Sequence, residues 1–223
     1  MAIFNLSYLR SLISEADQKR RELSLSEPDE TGAQITFLPF KLKFYWPGCI
    51  GSPYYQWKAH IYQLKESAKL RKGTQHYHRI VRRDGKVIRI DRFVHHQLAG
   101  VLLMHYEGNK RYAFSYPSSP STAGNQTEVV VFHDGHIAED YMIHGSQIVY
   151  RKYTHIAGET YTYHDINYIP TSQLPLNWIR IGTITTGENS TRMLDLCWPT
   201  SVSYDENGKG HQYPALESGI VEA

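Results

Sequence analysis

The sequence predicts a mainly β protein: an antiparallel β-hairpin meander, half-barrel or two-layer, with an N-terminal α-helix. Three observations carry this expectation. Four turn stretches recur: Arg83-Asp84-Gly85-Lys86, Tyr106-Glu107-Gly108-Asn109, His133-Asp134-Gly135-His136 and Ile156-Ala157-Gly158-Glu159. Their glycines are spaced 23, 27 and 23 residues apart. Each turn is flanked by runs rich in β-branched and aromatic residues, as in hairpins. Finally, the N-terminus alone shows a three- and four-residue apolar spacing.

That spacing runs through Leu6, Leu9, Leu12, Ile13 and Ala16 and predicts a helix over residues 4–24. Its apolar face would pack on the sheet that follows. A polar linker through Gly32 closes the first segment, residues 1–32. A single β-rich domain is expected over 33–200, then a polar tail over 201–223.

Gln34 to Trp46 alternates in period two, with Phe40, Leu42, Phe44 and Trp46 on one side. Pro39 puts this strand at an edge or a bulge, because proline has no N–H for a ladder. Residues 47–53 read as a loop carrying Cys49. Tyr54 to Leu70 is ambiguous. WKAHIYQL alternates like a strand, and LKESAKLRK composes like a helix.

The hairpins follow: 76–83 with 86–94, 101–106 with 110–116, 128–133 with 136–143, and 147–155 with 159–167. Val129-Val130-Val131-Phe132 is apolar on both faces, which predicts a central, doubly covered strand. Arg89, Asp91 and Arg92 place their strand nearer solvent. A further hairpin is expected over 178–185 and 191–198.

With 223 residues the chain can bury a core without disulfide staples. Cys49 and Cys197 form no CxxC, and a reduced cytoplasmic setting is the simpler expectation. The N-terminus lacks the pattern of a secretory signal, and no apolar run reaches membrane-spanning length. A formal charge of +2 gives no broad field for nucleic acid or an anionic membrane. Cations gather at 65–72 and 79–92. Acids gather at Glu128, Asp134, Glu139, Asp140, Glu159 and Asp165, so the two halves of the sheet are expected to carry opposite sign.

Turns at this period, each in a strand–Gly–strand setting, resemble the β-hairpin repeats of bacterial polymorphic-toxin systems. Two families are similar: the Tyr-Asp (YD) repeats of toxin shells and the MORN-like repeats of some antitoxin modules. Tyr106-Glu107-Gly108 and Tyr204-Asp205-Glu206-Asn207-Gly208 carry the resemblance. It spans about residues 77–168, and no Tyr precedes the turn at Arg83, His133 or Ile156. The resemblance implies a compact β-sheet binding protein, such as an immunity protein or antitoxin, and brings no catalytic residues with it.

His133 and His136 flank a two-residue turn. Their Cβ atoms should lie about 5 Å apart across the strands. Asp134 or Glu139 could complete a divalent metal site, or the pair could be ordinary polar turn flank. His76 and His78 share one strand face, roughly 7 Å apart. His95 and His96 lie on opposite faces or in a connection. No P-loop, Rossmann fingerprint, HExxH motif or nucleophile elbow occurs.

The 17 tyrosines are the strongest functional cue. Tyr112 and Tyr116 share a strand face with Phe114, and Tyr161 shares one with Tyr163. Tyr150 lies on the strand beside Tyr161 and Tyr163. Such faces serve as a protein-binding surface, the wall of a ligand cavity, or one side of a packed core. The expectation is a non-enzymatic protein-binding role, with Tyr112, Tyr116, Tyr150, Tyr161 and Tyr163 as contacts and no cofactor. The alternatives are a small-molecule carrier and a metal-dependent enzyme built on His133 and His136. A protein partner is expected, nucleic acid and membrane are not, and the oligomeric state is open.

Overall fold

The structure, a computed structural model, describes residues 6–23, 28–40, 49–117, 126–144, 147–168, 176–187, 190–199, 203–204 and 210–211. Helix α1 (Leu6–Glu22) is followed by strand β1 (Gln34–Pro39) and helix α2 (Pro53–Ile61). The first two hairpins are β2 (His76–Arg83) with β3 (Lys86–Val94) and β4 (Gln97–Glu107) with β5 (Lys110–Pro117). The next two are β6 (Gln126–His133) with β7 (His136–His144) and β8 (Gln147–Ala157) with β9 (Thr160–Tyr168). Then come β10 (Leu176–Thr185), β11 (Thr191–Pro199) and the short pair β12 (Ser203–Tyr204) and β13 (Gly210–His211).

Strands β1 to β11 form one antiparallel sheet in strict sequence order, open at both ends. Pro39 thus lies in an edge strand, as its missing N–H requires. The outer side of β1 is closed by Ser67, which exchanges two backbone hydrogen bonds with Phe37, at 2.8 and 3.0 Å. The Val129–Phe132 run lies in β6, midway across the sheet. The second half of the expected 34–46 strand, with Leu42, Phe44 and Trp46, lies outside the described residues, as does most of the tail.

The four hairpins are one four-stranded unit written twice. Every strand of β2–β5 starts fifty residues before its counterpart in β6–β9. The turns follow the same offset. Asp84-Gly85 and Asp134-Gly135 both have positive φ at each residue, the type I′ geometry. Gly108-Asn109 and Gly158-Glu159 have positive φ only at the glycine, as a type II′ turn does. Ile88 and Ala138 are matching extra residues, skipped by the pairing of Val81 with Arg89 and Val131 with Glu139. The units differ in their third strands. β4 skips Ala99, near its start. β8 skips Ile156, near its end. A bulge shifts pairing by one residue and so reverses which face the strand presents. Arg151 therefore faces the opposite side of the sheet from Val101, its counterpart.

Helix α1 covers one face. Leu12 and Ala16 pack into a cluster with Tyr112, Phe114, Val129 and Tyr141. Helix α2 covers the other, where Tyr55 and Ile50 pack with Leu38, Ile80, Ile90 and Leu102. The helix lies over 53–61 and not over 64–72, which corrects the reading of that stretch. Ser52 caps it, its Oγ accepting from the Tyr55 N–H at 3.3 Å, and Pro53 opens the first turn. The period-two alternation of WKAHIYQL is overridden by this local start signal.

Asp91 corrects another expectation. It is buried, and its carboxylate accepts from Arg79 at 2.9 Å and Arg89 at 2.6 Å. Arg79 of β2 and Arg89 of β3 both also face Glu30. His95 and His96 form the tight β3–β4 turn, both at positive φ.

Candidate functional site

Tyr112 and Tyr150 are buried beneath α1, and Tyr116 is half-buried there. The Tyr112 hydroxyl donates to Glu15 of α1, which also takes Lys110 Nζ at 2.6 Å. Burial and the Glu15 carboxylate push the Tyr112 phenol up from its ordinary value. Arg20 lies over the rings of Phe114 and Tyr116 and donates to the Gln126 carbonyl at 2.6 Å. These tyrosines hold α1 to the sheet. Tyr163 is fully buried on the α2 face, and Tyr161 is half-buried beside it. The predicted tyrosines are thus divided between two faces and mostly enclosed.

The α2 face holds a layer of buried charge. Arg151 donates to Asp140 at 2.7 Å and faces Asp165 at 3.4 Å. The other Asp140 oxygen accepts from Tyr153 at 2.5 Å. The Tyr54 ring from α2 lies over the Arg151 guanidinium at 4.1 Å. Arg111 donates to the Ile50 carbonyl at 2.8 Å, tying down the loop that leads into α2. Glu128, fully buried, takes Gln126 Nε2 at 2.7 Å. Burial is the largest cause that pushes its carboxyl up to about 7; nearby Asp140 adds to this, and Cys49 pulls the other way. Cys49 is a free, buried thiol, raised well above its ordinary value by burial and by these acids. Glu128, Asp140 and Asp165 therefore do not form an acidic half of the surface. They are interior groups that position α2.

Among the described residues are two concavities that open to solvent. The smaller, about 330 Å³, lies at the β6–β7 turn and brings together His133, His136, Tyr161 and an unforeseen member, His155. His133 and His136 pair across the strands as the turn requires. The His136 and His155 rings stack in parallel with centroids 5.5 Å apart. His155 Nε2–H donates to the Gly158 carbonyl at 2.7 Å, and His133 Nδ1 lies 3.0 Å from Asp134. Glu139 is turned to the other face, where it accepts from Tyr141. Among the described residues, no three His, Cys, Asp or Glu side chains are placed to hold one metal ion.

The larger concavity, about 1050 Å³, is a groove beside α2. Tyr55, Ala59 and Ile61 of the helix line one side, and Leu38, Leu64 and Arg82 the other. Gly187 and Ser190 of the β10–β11 connection also line it. Ile61 is 54% exposed at the helix end. Arg82 holds Glu66 through two nitrogens at 2.7 and 2.8 Å, while Lys65 stands exposed. No predicted site residue lies here. The Ser52-Pro53 start signal and the apolar residues at 55, 59 and 61 were the legible cues.

Among the described residues, no helix is long and apolar enough to cross a membrane. No family model matches the chain, and no curated protein or solved structure matches it.

Proposed function

We propose that the protein is a non-enzymatic protein-binding module of the immunity or antitoxin kind, engaging its partner through the groove beside α2. The observation that supports this is the groove itself: an open concavity of about 1050 Å³ with Ile61 exposed at its edge. An exposed apolar anchor within an open groove suits a helix or extended segment of a partner. The buried ion layer beneath fixes α2, so one wall of the groove is held in place before binding. The hairpin-repeat resemblance agrees with a binding role in a toxin–antitoxin setting. Contacts made here by α2 would occlude the partner's own working surface.

The test is native mass spectrometry of the protein purified from the cells that produce it, alongside an Ile61→Asp variant. A second protein at fixed stoichiometry is expected with the wild type and lost from the variant. A bare chain in both preparations overturns the reading.

A second reading, a small-ligand site, is supported by the cleft of about 330 Å³ that gathers His133, His136, His155 and Tyr161. Its mark in the same experiment is a small mass increment that His136→Ala abolishes.

A further inference from the structure

We infer that Glu128 is a proton-controlled latch for α2: protonated, it keeps the loop 49–52 and α2 seated on the sheet, and on ionisation it releases them. This goes beyond the groove reading above, because it concerns the wall itself and needs no partner.

The carboxyl is sealed in. Glu128 lies on β6, fully buried, between Ala113 of β5 and Met142 of β7. One oxygen accepts from Gln126 Nε2 at 2.7 Å, and among the described residues Oε2 has no hydrogen-bond partner. A carboxylate so enclosed loses its water, whereas the protonated acid carries no charge to hydrate.

The charged and titratable groups around it do not offset this. Cys49 faces it from the loop, Tyr55 from α2, Arg111 from β5 and Asp140 from β7. Cys49 and Tyr55 are neutral, their thiol and phenol themselves pushed up by burial. Asp140 is the negative end of the pair with Arg151 and repels a second carboxylate. Arg111 alone among the four is a cation, and its Nη2 is committed to the Ile50 carbonyl at 2.8 Å. Burial is the largest influence and pushes the carboxyl up to about 7, against the Cys49 thiol and N–H and the Arg111 charge.

Topology decides which side yields. Strand β6 is hydrogen-bonded to β5 and β7 in the middle of the sheet. Its cover is a short loop and a nine-residue helix. The loop is tied by Arg111 at Ile50, and α2 by the Tyr54 ring over Arg151 at 4.1 Å. Lifting that cover brings water to Glu128 without breaking a strand ladder, so the opening is local. The carboxyl then returns to its ordinary 4.5, and a proton is released. Opening therefore becomes more favourable as pH rises from 4.5 toward 7, and levels off above that.

The test is hydrogen exchange of the isolated full-length protein at about pH 5 and about pH 8, corrected for the intrinsic rate at each pH and read by mass spectrometry. Protection over 50–61 is expected to fall roughly fiftyfold from the lower pH to the higher, while β6 and β7 stay far better protected. Glu128→Gln keeps the shape and cannot ionise, so its protection over 50–61 stays constant. The wild-type loop gives a second readout that needs no change at 128. In a Cys197→Ser background, labelling of Cys49 by a thiol reagent, divided by the rate for the unfolded chain at the same pH, rises in parallel. Protection and labelling that are flat with pH, or a pH dependence that persists in Glu128→Gln, overturn the latch. Exchange over 50–61 that coincides with that of β6 and β7 at both pH values also overturns it, because the opening is then global. The binding role is read separately, by copurification.

Discussion

Arg151 and Asp140 form a buried ion pair at 2.7 Å, directly opposite each other on β8 and β7. Both side chains are enclosed, at 4% and 0% exposure, and Asp165 faces the same guanidinium from β9. Breaking such a pair from one side strands charge in a low-dielectric interior. Arg151→Met should therefore cost about 3–5 kcal/mol, read as a fall in urea midpoint at unchanged slope. A loss below about 1 kcal/mol would mean that water reaches the two acids.

Stability should depend on pH through two buried groups of opposite sense. Burial raises the Glu128 carboxyl from 4.5 to about 7. Its contribution is full below 4.5 and is lost as pH rises through 7, a change on the order of 3 kcal/mol. His78 is also fully buried, and burial followed by the Arg92 charge lowers its imidazole from 6.5 to about 3. Its contribution is full above 6.5 and is lost as pH falls toward 3. Between 4.5 and 6.5 the two slopes oppose. Glu128→Gln should leave a stability that rises with pH across that window, and His78→Phe one that falls. Denaturation midpoints across the window check this; parallel profiles for the two variants would refute it.

His78→Phe carries a second expectation. Among the described residues, neither ring nitrogen of His78 has a hydrogen-bond partner, and the ring stacks on Phe40 at 4.4 Å. Phenylalanine keeps the stack and removes these two buried polar atoms. The variant should be more stable than the wild type at neutral pH by about 1 kcal/mol, measured by thermal or urea unfolding.

The type II′ turn at Gly108 isolates backbone strain from packing. Gly108 has φ +55, and a Cβ added there meets nothing within 4 Å. Gly108→Ala should cost about 1–2 kcal/mol from conformation alone. Gly100 lies inside β4, where an added Cβ makes only an ordinary 3.5 Å contact. Gly100→Ala should change the unfolding midpoint far less, and equal effects would argue against the turn assignment.

Leu12 reads the docking of α1. It is fully buried among Tyr112, Tyr141 and Tyr150. Leu12→Ala should cost about 2–5 kcal/mol through lost burial and a residual cavity, seen in the same unfolding assay. A near-neutral result would show that α1 is dispensable to the sheet.

The meander was legible because turn chemistry is local. Asp-Gly and Gly-led turns declare hairpins wherever strand-forming residues flank them, and the 23, 27, 23 spacing already held the fifty-residue repeat. Leu12 and Ala16 likewise announced a helix with a face to bury. The site was less legible. Which side of a strand Arg151 faces depends on whether a bulge sits at Ala99 or Ile156 in the two units, and no residue type marks a bulge of that kind. One skipped position moves a side chain from one face to the other. Tyr150 and Tyr153 share a strand but serve opposite faces by plain alternation, being three residues apart with no skipped position between them. Helix α2 was obscured because a short helix and a half-buried strand give overlapping apolar patterns over so few residues. The cleft at the β6–β7 turn fell between. His133 and His136 follow from the turn, whereas His155 arrives from a neighbouring hairpin.

The fifty-residue offset gives the sheet a natural increment of growth. Adding one whole unit would continue the alternation of turn types, and the even count would carry inward and outward positions forward in phase. The protein is thus extensible in blocks, and a lengthened version would widen the uncovered sheet while leaving α2, its ion layer and the groove where they stand.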